Sequence, residues 1–106
     1  MIEVREYVDE NGRSPFAKWV RSLPVIAAVK VTTALERIAA GNLSNAKGVG
    51  EGVLEYRIDF GPGFRIYFGK DGERLVILLA GGTKTRQQND IDAAKAVWKN
   101  YKRRKP

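Results

Sequence analysis

The stretch Tyr56–Gly69, "YRIDFGPGFRIYFG", reads as a β-hairpin that seats an arginine in each arm. Apolar and polar side chains alternate on both sides of Gly61-Pro62-Gly63, the period-two pattern of strands with one buried face. In the first arm Leu54, Tyr56, Ile58 and Phe60 point one way, and Glu55, Arg57 and Asp59 the other. In the second arm Phe64, Ile66 and Phe68 alternate with Arg65 and Tyr67. Both apolar sets share a face only if paired residue numbers sum to an even value. Closing the turn across 61–63 pairs Phe60 with Phe64, sets Asp59 opposite Arg65, and sets Arg57 opposite Tyr67. One face is then apolar and covered by helices. The other carries Glu55, Arg57, Asp59, Arg65 and Tyr67 in the open.

Working outward, residues 2–8 read as a short strand, and "NGRSP" as a turn into a helix with Ser14 as N-cap and Pro15 at the first helical position. Phe16, Trp19, Val20 and Leu23 form its apolar stripe. Pro24 ends that helix and opens a second, whose buried face is Ala27, Val31, Ala34, Leu35 and Ile38 and which stops at Gly41. The glycine-rich segment 41–52 is expected to be a surface loop. Strands follow at about 53–60, 64–69 and 74–80, the last apolar on both faces ("LVILLA") and therefore interior to the sheet. "AGGTKTRQQND" leaves the sheet, with Thr85 and Gln88 as a capping pair for a final helix striped by Ile91, Ala94, Val97, Trp98 and Tyr101. The order β-α-α-β-β-β-α defines one α+β domain over 1–106, with an αα-hairpin, a largely antiparallel sheet and a C-terminal helix.

Composition narrows the chemistry. The 106 residues carry a net charge of +7 and contain no cysteine and no histidine. That removes disulfides, thiolate nucleophiles and the commonest general base and metal ligand, so no metal and no cofactor is expected. The opening residues lack a secretory pattern and no apolar run is long enough to span a bilayer, which points to a cytoplasmic protein without a membrane partner. Residues 1–44 hold six basic and five acidic side chains, and residues 45–106 hold thirteen and seven. The excess sits in the second half, and polyanions, nucleic acid first, are the natural partners.

Two readings of the charged sheet face stand side by side. One is a solvated surface with ion pairs, Asp59–Arg65 across the strands and Glu55–Arg57 along one of them. The other is an anion site, since guanidinium groups bind phosphate bidentately and a neighbouring phenol stacks or donates. Gly81-Gly82-Thr83-Lys84 adds a lysine and a helix start at the sheet end. Lys47, Arg86, Lys99, Lys102 and Arg103 are the further candidate phosphate contacts. For the basic tail "KNYKRRKP" the alternative is simple complementation of a helix C-terminus.

The segments "GVLEYRIDFGPGFRIYF" (52–68) and "LVILLAGGTKTRQQNDIDAAKAVWKNY" (75–101) resemble the RelE/ParE superfamily of type II toxins, in particular its phage-derived HigB-like subgroup, the addiction module killer proteins. The resemblance rests on E-x-R at 55–57, G-x-R-x-Y at 63–67 and L-L-x-G-G-x-K at 78–84. It implies a ribosome-dependent mRNA endonuclease, metal-independent, in which the neighbouring 2′-hydroxyl is the nucleophile. Arg57 and Arg65 match the family's basic strand positions, Lys84 the basic residue after the last strand, and Tyr67 the ring beside the arginine. It also implies a monomer when free, held in a heteromeric complex by a helix-turn-helix antitoxin. Where several family members place a histidine or tyrosine, this chain has Thr85, Arg86, Gln87 and Gln88. A ParE-like gyrase inhibitor and a non-catalytic RNA-binding domain are the alternatives on the same fold.

Overall fold

The computed structural model describes residues 1–105. Its elements are β1 (Glu3–Glu6), α1 (Pro15–Arg21), α2 (Val25–Ala39), β2 (Ala46–Gly50), β3 (Val53–Ile58), β4 (Phe64–Lys70), β5 (Leu75–Thr83), a 3-10 turn (Lys84–Arg86) and α3 (Gln87–Arg104). The five strands lie in the order β1-β5-β4-β3-β2. β1 runs parallel to β5, and every other pairing is antiparallel. The α+β class and the helix order are as the sequence predicts, and β5 is interior. Among the described residues no helix is long and apolar enough to cross a membrane.

The local chemistry is orthodox at α1. Ser14 Oγ accepts from the Ala17 N–H at 3.0 Å, and Pro15 takes the first helical position, where its missing N–H costs nothing. α1 and α2 cover one sheet face, burying Phe16, Val31 and Ile38 against Tyr56, Ile66, Phe68, Val76 and Leu78. Val25, Ile26 and Val29, on the outer side of α2, stay in solvent.

Four expectations are corrected. The segment 41–52 contains β2, which pairs along the edge of β3 as far as Tyr56. Its glycines and single valine give no alternating pattern, so only the pairing reveals it. β5 continues through Gly81-Gly82-Thr83 instead of releasing the chain at Gly81. α3 begins at Gln87 without a side-chain cap, because Gln88 turns to Asp92 (2.9 Å) and a 3-10 turn intervenes. Lastly, the second sheet face is not open. α3 lies across it and builds a second core from Tyr7, Val53, Tyr67, Ile77, Leu79, Ile91, Ala94 and Trp98.

The glycine pair is explained by close approach. A Cβ on Gly81 would lie 2.1 Å from the Trp19 ring on one face, and a Cβ on Gly82 1.9 Å from the Asp90 carboxylate on the other. Gly81→Ala is expected to cost about 1–3 kcal/mol, because the indole cannot yield without leaving its core position. Thermal unfolding checks this. In a Trp19→Leu background the cost should shrink, and an undiminished cost would locate the strain elsewhere.

Candidate functional site: a basic cleft at the hairpin end

The hairpin register differs from the expected one by two residues while keeping its parity. Arg57 pairs directly with Arg65, Ile58 with Phe64, and Glu55 with Tyr67. The turn is wider than three residues because Phe60 belongs to it: the Gly63 N–H donates to the Phe60 carbonyl at 3.0 Å. Released from the ladder, Phe60 stacks on Phe64 with ring centroids 6.4 Å apart. Two arginines therefore stand directly opposite each other in the ladder, a like-charge pairing that destabilises a sheet unless something offsets it.

Glu55 provides the offset. It is 1% exposed, beneath α3, where its Oε2 accepts from the Tyr67 hydroxyl at 3.0 Å and from the Gln87 amide at 2.9 Å. Its Oε1 lies 3.6 Å from Arg65 Nε and 3.9 Å from Lys47 Nζ. Arg65 is itself 5% exposed. One of its terminal nitrogens donates to the Gly63 carbonyl at 2.7 Å, and its Nε has no hydrogen-bond partner. Burying a guanidinium costs several kcal/mol, and the adjacent carboxylate returns part of that. The outcome is a guanidinium fixed in place by its surroundings rather than waving in solvent.

Arg57, Arg65 and Lys84 line one cleft of about 580 Å³, together with Asn45, Ile58, Asp59, Gly61, Pro62 and Gly63. The volume falls in the usual ligand-site range of about 300–1,000 Å³. Three cations oppose one carboxylate, Asp59, so the cleft attracts anions. Arg57 is exposed, and Lys84 reaches the cleft from the 3-10 turn that ends β5.

Tyr67 is a correction. Its ring is fully buried under α3 and cannot stack on or orient a bound base. Burial first, then the Glu55 charge and hydrogen bond, push the phenol well above its usual range, so it remains a neutral donor. Its work is to hold Glu55. The expected ion pairs Asp59–Arg65 and Glu55–Arg57 are likewise replaced, since Glu55 partners Arg65. Lys47 sits beside Glu55 and Arg86 is exposed in the turn after Lys84; neither lines the cleft. Lys99, Lys102 and Arg103 are exposed near the far end of α3. That end is tied to the β4–β5 turn by Tyr101 and Lys105, which contact Asp71 at 2.6 and 2.7 Å. At 1.5 Å rise per residue Lys102 is about 22 Å along the helix from Gln87, so the tail is a separate patch. Glu55 as a buried anchor, Gln87 as its clamp and Asn45 as a lining residue went unseen in the sequence, which placed Asp59 on the charged face but opposite Arg65.

These features define a small α+β domain with a buried-carboxylate-anchored anion cleft at one end of its sheet. The chain belongs to the phage-derived Gp49-like protein family, whose model matches residues 18–102 and which is part of the RelE/HigB-like toxin superfamily. An uncharacterized protein of Haemophilus influenzae is 40% identical over 83 residues, covering 77% of this chain and 84% of the relative.

Proposed function

We propose that this protein is the toxin of a type II toxin–antitoxin pair, of the HigB-like kind, and that it inhibits translation in the cytoplasm by cutting mRNA on the ribosome without a metal. The observation that carries this reading is the direct pairing of Arg57 with Arg65 at a cleft that Lys84 also lines. Like-charged residues opposed in a ladder are a local cost, and a phosphodiester bound by both arginines would add to the partial offset that Glu55 supplies. In the reaction the 2′-oxygen bonds to phosphorus while the bond from phosphorus to the 5′-oxygen breaks, leaving a 2′,3′-cyclic phosphate. Arg57 and Arg65 stabilise the charge that builds on the phosphoryl oxygens. Asp59, the carboxylate that lines the cleft, takes the proton of the 2′-hydroxyl, and Lys84 supplies one to the departing 5′-oxygen. Ribosomal positioning of the message contributes the orientation. The free protein is a monomer, and a helix-turn-helix antitoxin silences it in a heteromeric complex.

Induced expression with mRNA 5′-end mapping tests this, with DNA supercoiling followed in parallel and Arg57→Ala as control. In-frame cuts in translated messages that disappear in the variant are expected. Relaxed DNA with intact messages would replace the nuclease by a gyrase inhibitor, and neither effect would leave an RNA-binding domain.

A further inference from the structure

A second, smaller groove of about 210 Å³ adjoins the cleft and shares Asn45, Arg57, Ile58 and Asp59 with it. Its other wall is α2, which contributes Lys30, Thr33, Ala34 and Arg37. Lys30, Thr33 and Arg37 are spaced i, i+3, i+7 and so lie along one helical stripe. Phe60, displaced from the ladder into the turn, lines the same groove, and the Lys30 ammonium rests 5.2 Å from its ring centroid. That contact holds a flexible cation over the groove.

We infer that this groove binds the phosphate backbone of the single-stranded RNA that continues from the cleft, with Lys30 and Arg37 as its phosphate contacts. The inference rests on the RNA reading of the cleft and extends it from one phosphodiester to a track. Three observations carry it. The groove is smaller than a self-standing ligand site of about 300–1,000 Å³, which suits an extension and not an independent pocket. Its cations lie on an element different from the cleft's, yet Arg57 belongs to both walls. Asp59 stands at the junction and repels a phosphate there, so consecutive phosphates are placed on either side of it, at Arg57/Arg65/Lys84 and at Lys30/Arg37.

Binding of a fluorescent five-residue 2′-O-methylated oligouridylate, which lacks the nucleophile, is measured by anisotropy across a salt series. Both α2 side chains are exposed, and thermal unfolding verifies that Lys30→Ala/Arg37→Ala folds. Losing two phosphate contacts is expected to reduce the slope of log affinity against log salt by about 1.4 and to weaken binding about tenfold at low salt. The charge-preserving Lys30→Arg/Arg37→Lys is expected to keep the slope. A wild-type slope in the double alanine variant, with binding still weakened by Arg65→Ala, overturns the groove and leaves the cleft reading standing. No binding by the wild-type protein at any salt overturns both.

Discussion

Arg65→Ala is expected to reduce RNA cleavage by about 10²–10³-fold, the usual effect of removing one preorganised donor to a charged transition state. The size follows from how the side chain is held. Arg65 is buried, restrained by the Gly63 carbonyl and by Glu55, and still lines the cleft. A donor fixed in this way loses little freedom when the phosphate arrives. The same substitution leaves Glu55 with Lys47 as its remaining cation at 3.9 Å, so it also lowers stability. Arg65→Lys separates the two effects. It restores a positive charge near Glu55 and hence much of the stability, but an ammonium cannot grip a phosphate with two parallel N–H groups. Single-turnover cleavage on programmed ribosomes, read beside thermal unfolding, makes the distinction. Wild-type rates in Arg65→Lys would mean that charge alone suffices and that the fork is irrelevant.

Glu55→Ala is expected to destabilise the fold by about 3–5 kcal/mol, the cost of stranding a buried partner charge. For a domain of this size that lowers the melting temperature by more than about 10 °C. Three groups lose their partner together: the Tyr67 hydroxyl, the Gln87 amide and the Arg65 guanidinium. Glu55→Gln keeps an acceptor for the phenol and sacrifices only the charge, so it should fall between alanine and wild type. Removing the pair as a unit, Glu55→Leu with Arg65→Met, should recover most of the stability while weakening anion binding, because apolar replacements of buried ion pairs are commonly neutral. Chemical denaturation of the four proteins checks the cycle. An Arg65→Met/Glu55→Leu protein as unstable as Glu55→Ala would show that the carboxylate serves the fold through Tyr67 and Gln87 alone.

The sequence carried the helices, the interior place of β5 and the shared face of Arg57 and Arg65, because each rests on periodicity or on turn chemistry. Parity survived a two-residue error in register for the same reason: a slip of two preserves the face and changes only the partner. What parity does not report is the cover. The alternation of Glu55, Arg57, Arg65 and Tyr67 looks like an exposed face, yet three of the four are buried. A signal was available in β5, where Ile77 and Leu79 needed a layer opposite Val76 and Leu78, and in the apolar stripe of α3, which needed a surface. β2 was invisible because Gly48, Gly50 and Lys47 give no pattern, and an edge strand needs only backbone pairing to exist.

The two adjacent glycines of β5 set more than local clearance. An indole from near the start of the chain and a carboxylate from near its end approach opposite sides of one strand, each through a missing methyl group. A larger residue at either site would wedge one of the flanking helical layers away from the sheet. The next residues of the same strand deliver Lys84 to the cleft. The thickness of the protein and the reach of the Lys84 ammonium into the cleft are thus gauged by the same dipeptide.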